Sequence, residues 1–484
     1  MDEKDDARAD RVEDANMLEG KAVSRREFLK IAGIAGATIG MGAGLGGLVA
    51  ACGGAATTTT GASTATTGAT TATTAAVTTS VSAGAEAGRE IKIGWVTPQT
   101  GSLASFGVPD KYCAERWAEA VKDGLVCGDG KNHPITIITR DTQSDSNRAA
   151  QVAGDLINND KVDMLMVASA PENTNPVADQ AEANATPCIS SQTPWEAFFY
   201  GRNGDPKVVF KWTYHVFVGV EDLITVYTAM WDSVSTNKTL GALWPNDSDG
   251  NVFRPQFTTV LKSKNYTVVD TGAFQDGTED YTSQITQVKK AGCEIVTAVL
   301  EPPDFTNFWK QAYQQGFRPK VATIAKALLF PQSIDAIGDI GIGMTSEVAW
   351  HPTFPFKSSL TGETCQQFAD DFEKTTGLQW TIPLLHYIVF EMAVDALKRT
   401  TNVDDKSSII DAVKTIKMDT IEGPIDFTLP VKDGTVRPVP NVYKPPICLG
   451  QWVKGTKWPY DLVLVNNADA PMITVQAQPK LLPQ

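Results

Sequence analysis

The chain has 484 residues, 42% hydrophobic and 20% charged, enough apolar material for more than one globular core and too much for a disordered polymer. A formal net charge of −14 leaves no basic stripe and repels phosphate backbones, so nucleic acid is not an expected partner. The four histidines (His133, His215, His351 and His386) are scattered, with no H-x-H, HExxH or CxxC cluster; no metal site from adjacent ligands is expected, and each is read as a structural or surface residue.

The segment SRREFLK at 24–30 sets the adjacent Arg25 and Arg26 ahead of Phe28 and Leu29, and an uncharged Gly/Ala-rich run from Ile31 to Ala51 follows. This resembles a twin-arginine export signal and implies the twin-arginine translocase as a partner during export. The run is long enough to span a bilayer, but its weak hydrophobicity suits a cleaved signal better than a permanent helix. It ends Val49-Ala50-Ala51-Cys52, which looks like a bacterial lipobox. Cys52 would then carry a diacylglycerol, and two or more acyl chains anchor stably where one does not. Residues 1–51 are thus expected to be a signal peptide. The product is expected outside the cytoplasm, held to the membrane by lipid at the cell surface or in the periplasm.

Residues 52–88 are nearly all Thr, Ala, Gly and Ser after the cysteine. Such a composition buries no core and reads as a disordered tether, with an r.m.s. span of roughly 30–36 Å. From Arg89 the pattern changes. Ile91 to Val96 is a strand candidate, and Pro109 and Asp110 open a helix closed by Gly124. Further strands are expected at Ile135 to Thr139, Met164 to Val167 and Cys188 to Ser190. Ala149, Val152, Ala153, Leu156 and Ile157 recur at helical spacing, and another helix spans Asn175 to Ala185. The alternation restarts after residue 210, with strands at Thr239 to Trp244, Thr267 to Asp270, Glu294 to Leu300, Val321 to Ala325 and Met344 to Trp350, and a helix at Tyr281 to Ala291. Helices follow at Thr361 to Thr376, Ile382 to Thr400 and Ser407 to Lys417, then final strands within Trp452 to Val465. No long apolar run closes the chain. The expected fold is α/β, with two doubly wound parallel-sheet lobes, and ligands at the carboxyl ends of strands. Of the six remaining cysteines, Cys113 and Cys127 read as opposite ends of one helix, about 20 Å apart and too far to bridge. Buried free thiols are expected for several of the six.

The stretch IKIGWVTPQTGSLASFG at 91–107 resembles the opening of the leucine/isoleucine/valine-binding family of ABC transporter substrate-binding proteins. The likeness continues in Val162-Asp163, in Pro187-Cys188-Ile189-Ser190, in LWPNDSDG at 243–250 and in FWKQA at 308–312 running to Gly316. It implies the type I periplasmic-binding fold with three hinge crossings, placed near Phe210 to Val216, Val348 to Pro352 and Glu422 to Phe427. The first lobe is then 89–212 with 352–422, the second 213–351 with 423–465, and 466–484 is a tail. The family closes on a ligand between the lobes and delivers it to an ABC permease and ATPase complex.

The resemblance also implies site residues. Phe106 takes the aromatic position of the first loop. The third strand's end, normally hydroxyl-bearing, reads Ser169-Ala170-Pro171-Glu172-Asn173. Thr193 matches the family's threonine and is followed by Pro194-Trp195. On the second lobe, Asp249 and Glu301 stand where the family has aromatics, and the acid that grips an α-ammonium falls near Ala325-Lys326. Ser169, Thr193 and Trp195 are expected to give hydrogen bonds and an apolar wall. Glu172, Asp249 and Glu301 either bind a cationic or hydroxylated group or are solvated loop acids. Trp244 and Trp350 read equally as packing or as ligand stacking. The ligand is expected to be amino-acid-like, an amide or an aromatic acid.

Two rivals stand beside this reading. An enzyme is disfavoured because no G-x-S-x-G elbow or phosphate-cradling glycine loop is present, although Glu172 and Glu301 could in principle flank a glycosidic bond; no cofactor is expected. A sensory receptor subunit would share fold and cleft while passing occupancy to a signalling partner.

Overall fold

A computed structural model describes residues 84–432 and 438–483, all within one compact unit, Ala72–Gln484. The expectations for Arg25, Arg26, Cys52 and most of the tether lie outside the described residues.

β1 (Ile91–Thr97) is buried except at Lys92, which is half-buried, because both faces of its sheet are covered. That is why its sequence reads as an apolar run rather than an alternating one. A short antiparallel pair, β2 (Leu125–Val126) and β3 (Asn132–His133), precedes β4 (Ile135–Asp141), β5 (Met164–Ala168), β6 (Cys188–Ser191) and β7 (Thr213–Val216). The second series is β8 (Thr239–Leu243), β9 (Thr267–Asp270), β10 (Ile295–Leu300), β11 (Val321–Lys326) and β12 (Thr345–Val348). Two small antiparallel pairs follow: β13 (Lys417–Thr420) with β14 (Gly423–Asp426), and β15 (Val431–Lys432) with β16 (Pro438–Val439). The chain ends through β17 (Val442–Tyr443), β18 (Cys448–Lys454) and β19 (Tyr460–Asn466).

These strands make two sheets. The first has the order β17-β7-β6-β5-β1-β4 and is parallel throughout. The second has the order β19-β18-β12-β11-β10-β8-β9; it is parallel from β12 to β9, and β18 runs antiparallel to both β12 and β19. Two α/β lobes result, the second with a mixed edge because its last two strands form a hairpin. Helix Ser146–Asn158 buries the five residues picked out by its spacing, and its first turn is capped by Asp145, which accepts from the Arg148 amide at 2.7 Å. Helix Tyr387–Arg399 packs on β5, β6 and helix Asp110–Ala120, which returns the segment after β12 to the first lobe.

Three expectations need correction. The helix opened by Asp110 ends at Ala120, so Cys127 lies beyond it, just after β2, rather than at the far end of the same helix. All six described cysteines are buried free thiols. The first crossing was expected at Phe210 to Val216, yet Thr213–Val216 is β7, a member of the first sheet; the chain leaves that lobe only afterwards, through Phe217 to Gly219. The third was expected at Glu422 to Phe427, with 423–465 in the second lobe. Instead β17 pairs with β7 in the first sheet, Val442 opposite His215, so the passage falls at Lys444 to Ile447. A two-residue strand has too little periodicity to be read from sequence. The tail after Asn466 packs on the second lobe, with Ala470 and Ile473 buried.

Gly94, in the middle of β1, has no room for a side chain: a Cβ there would lie 2.6 Å from Leu165 Cδ2 and 2.9 Å from Leu156 Cδ1. Gly94→Val should therefore overpack the first lobe and cost about 1–3 kcal/mol in urea-denaturation stability. An unchanged midpoint would contradict this account of the strand's packing.

Candidate functional site

Five strand ends meet at one place. β5 runs through Ser169 and Ala170 into helix Pro171–Ala183, whose first turn carries Glu172. β6 leads to Gln192, Thr193 and Pro194. On the second lobe, Asp247 follows β8 and caps helix Ser248–Ser263, accepting from the Gly250 amide at 2.6 Å, with Asp249 in the same first turn. Glu301 follows β10 and precedes helix Pro302–Gln314, and Lys326 is the last residue of β11. Acids gather here because helix N-termini favour them, through capping and through the helix dipole.

Lys326 is the centre of the arrangement. Its Nζ lies 3.1 Å from Asp249 Oδ2, 3.2 Å from Glu172 Oε2 and 3.5 Å from Asp247 Oδ2. Glu172 belongs to the first lobe and the two aspartates to the second, so the ammonium ties the lobes together. The residue is only 5% exposed. Burial alone would strip its proton, but Glu172, Asp249, Asp247 and Glu301 outweigh that and hold it charged. The same burial pushes Glu172 up and Asp249 well above the usual carboxylate range, with Lys326 opposing the rise in both. The Lys326 backbone has φ 67° and ψ −62°, a strained γ-turn geometry for a residue with a side chain. It is held there by Glu347, which accepts from the Lys326 amide at 3.0 Å and from the Tyr227 hydroxyl at 2.6 Å.

Around this cluster the walls are largely apolar. Phe106 of the first lobe meets Phe330 of the second edge to face, with centroids 4.8 Å apart. Gln192, also at a positive φ of 66°, turns its side-chain amide oxygen Oε1 to His386 Nε2, while His386 Nδ1 lies 2.6 Å from Asp110 Oδ1. The remaining cavity, bounded by Phe106, Ala170, Gln192, Asp249 and Lys326 among others, is about 30 Å³, room for about two waters.

Of the residues expected at the site, Phe106, Ala170, Glu172, Asp249, Glu301 and Lys326 come together. Ser169 is buried beside them with its carbonyl accepting from Thr174 and Thr193, and its own hydroxyl finds no partner. Thr193 is spent on that contact. Asn173 accepts from the Thr142 hydroxyl under the first helical turn. Trp195 does not form a wall of the cavity; its indole donates to Glu221 Oε1 at 3.0 Å, beside the first crossing. Trp244 and Trp350 are fully buried, packed against Phe257 and against Trp380 and Phe368. Sequence reasoning missed Asp247, Gln192, Phe330 and Glu347. Asp247 alone had a legible signal, an aspartate just ahead of a helix.

Asp304, in the first turn after Glu301, accepts from the Gly277 amide at 2.9 Å, and burial raises its carboxyl from 3.8 to about 6. An acid raised on folding takes up protons in the native state, so the stability that Asp304 contributes is fully present below its unfolded value and is lost as pH rises from 3.8 through about 6. Asp304→Asn should flatten that fall when urea midpoints are measured across the window; an unaltered slope would contradict the assignment.

The fold has many solved counterparts. The leucine binding protein LivK of Thermotoga maritima is 17% identical, with a TM-score of 0.61 over 78% of this chain and 99% of that one. LivJ of Streptococcus pneumoniae, solved with isoleucine, is 16% identical, with a TM-score of 0.62 over 78% and 99%. A solute binding protein of an ABC transporter from Rhodopseudomonas palustris BisB5, solved with 3,4-dihydroxybenzoic acid, is 17% identical, with a TM-score of 0.60 over 80% and 98%. A family model described as periplasmic binding protein matches residues 90–442. With its two α/β lobes and the groups that converge between them, the chain belongs to the periplasmic binding protein family, whose members bind ligands rather than transform them.

Proposed function

We propose that this protein is the extracytoplasmic receptor of an ABC importer, anchored by lipid on Cys52 and exported by the twin-arginine translocase. It closes two lobes on a small amino-acid-like, amide or aromatic-acid solute and delivers it to a membrane permease and ATPase complex. The observation that carries the reading is the meeting of Lys326 from one lobe with Glu172 from the other, across a cleft lined by strand ends. A ligand bound there touches both lobes and so favours their closed arrangement. Isoleucine in one structural counterpart and a dihydroxybenzoic acid in another support the range of solutes. The Gly/Ser/Thr/Ala tether gives the anchored body reach over a membrane partner.

Mass spectrometry of small molecules released from the purified protein, followed by calorimetric titration of that class, tests solute binding. Micromolar affinity or better, about −8 kcal/mol, with a smaller radius of gyration on binding is expected. Failure of every amino acid, amide and aromatic acid to bind would overturn the receptor reading.

Anchoring is tested separately. Cys52→Ala should abolish labelling by a fatty-acid probe and move the protein from the membrane to the soluble fraction. Replacing Arg25 and Arg26 together by lysine should retain the precursor in the cytoplasm. Membrane retention of the Cys52→Ala protein would sink the lipid anchor.

A further inference from the structure

A cleft that is to receive a solute is here taken up by the protein's own side chain. We propose that Lys326 is a tethered stand-in for a cationic group of the solute: its ammonium fills an acceptor tripod drawn from both lobes and draws them together, and the solute that the cleft selects carries a primary ammonium that takes its place. The inference rests on the reading of the cleft as the solute site and names the chemistry that the site prefers.

The tripod has the form of an ammonium site. A primary ammonium offers three N–H donors, and Glu172, Asp247 and Asp249 each offer one carboxylate oxygen, the three lying within 4.8 Å of one another. The 3.1–3.5 Å spacings to Nζ suit nitrogen. Magnesium or calcium would require contraction to about 2.0–2.6 Å.

The acceptors also exceed what Lys326 can satisfy. Asp249 is 3% exposed, borders the cavity, and its Oδ1 has no hydrogen-bond partner; Glu172 Oε1 is likewise buried and unpartnered. One such oxygen stands on each lobe. Glu301 adds to the field that holds a cation at this end of the cleft. Gln192 also borders the cavity, and its amide nitrogen is buried without a partner, a donor for a carbonyl or carboxylate on the same solute.

Space requires the exchange. A cavity of about 30 Å³ cannot admit an amine with even a few carbons while the lysine remains in place. Parting the lobes withdraws Glu172 from the ammonium, and the flexible four-carbon stem lets Lys326 swing aside for the solute.

The test is chemical rescue. Lys326→Ala removes a propylamine-sized piece, and the probe is n-propylammonium chloride. It should raise the thermal midpoint of the variant saturably and bind it at least about tenfold more tightly than it binds the unaltered protein, where the tethered lysine competes. Tetramethylammonium, which has no N–H donor, should do neither at equal ionic strength. Equal affinity for the two proteins overturns the proposal, as does stabilisation of the variant by magnesium or calcium without a response to propylammonium. Should Lys326→Ala not fold, Lys326→Met, whose side chain ends where the last carbon of lysine lies, is titrated with ammonium chloride, and equal affinity there is equally fatal. Solute binding by the unaltered protein without any rescue sinks the stand-in alone; rescue without any solute sinks the receptor reading and, with it, the ammonium-bearing solute.

Discussion

Removing an ammonium ion from water costs several kcal/mol unless carboxylates replace its hydration, and carboxylates brought into the same dry space without a cation are pushed to hold protons. The cleft is arranged around that constraint. Lys326 is charged because Glu172, Asp249, Asp247 and Glu301 surround it, and their burial is tolerable because Lys326 is there. The aspartates share the lobe of Lys326 and Glu172 sits on the other, so bringing the lobes together adds a third carboxylate to the ammonium. The relation between the lobes is thus electrostatic as well as apolar, with Phe106 against Phe330 supplying the second part.

The sheets make the encounter possible. Parallel strands deliver their carboxyl ends to the same edge, and each is followed by a helix whose first turn welcomes an acid. Glu172, Asp249 and Asp304 occupy such turns, and Asp247 and Glu301 stand at the N-cap just before them. In one lobe each would be an ordinary helix-terminal acid, capping an amide or facing water. Facing another lobe's strand ends, the same acids become a concentrated negative field with one lysine in its middle. Two residues with side chains, Gln192 and Lys326, adopt positive φ where β6 and β11 end, the backbone strain that recurs where groups are aimed into a site.

Much of the architecture was legible in advance. Strands covered on both faces read as short apolar runs, and the 3.6-residue spacing of Ala149, Val152, Ala153, Leu156 and Ile157 marks the face that helix Ser146–Asn158 buries. Those signals are local, carried by which side of an element must avoid water. The site was legible in part: Phe106, Glu172, Asp249, Glu301 and Lys326 could be named by position along strand ends, whereas Trp195, equally well placed in sequence, turns to Glu221 instead.

The sequence by itself determined the alternation of strand and helix, the two-lobed class and the loops from which site residues come, because periodicity and end signals are written within a dozen residues. Only the tertiary structure decided that β17, two residues long, rejoins the first sheet, and that Lys326 meets Glu172 from 154 positions away. Neither follows from local pattern. The direction in which a side chain leaves a strand end, and the partner that receives it, depend on how two separately folded sheets are packed, and that packing is set by contacts no short window of sequence contains.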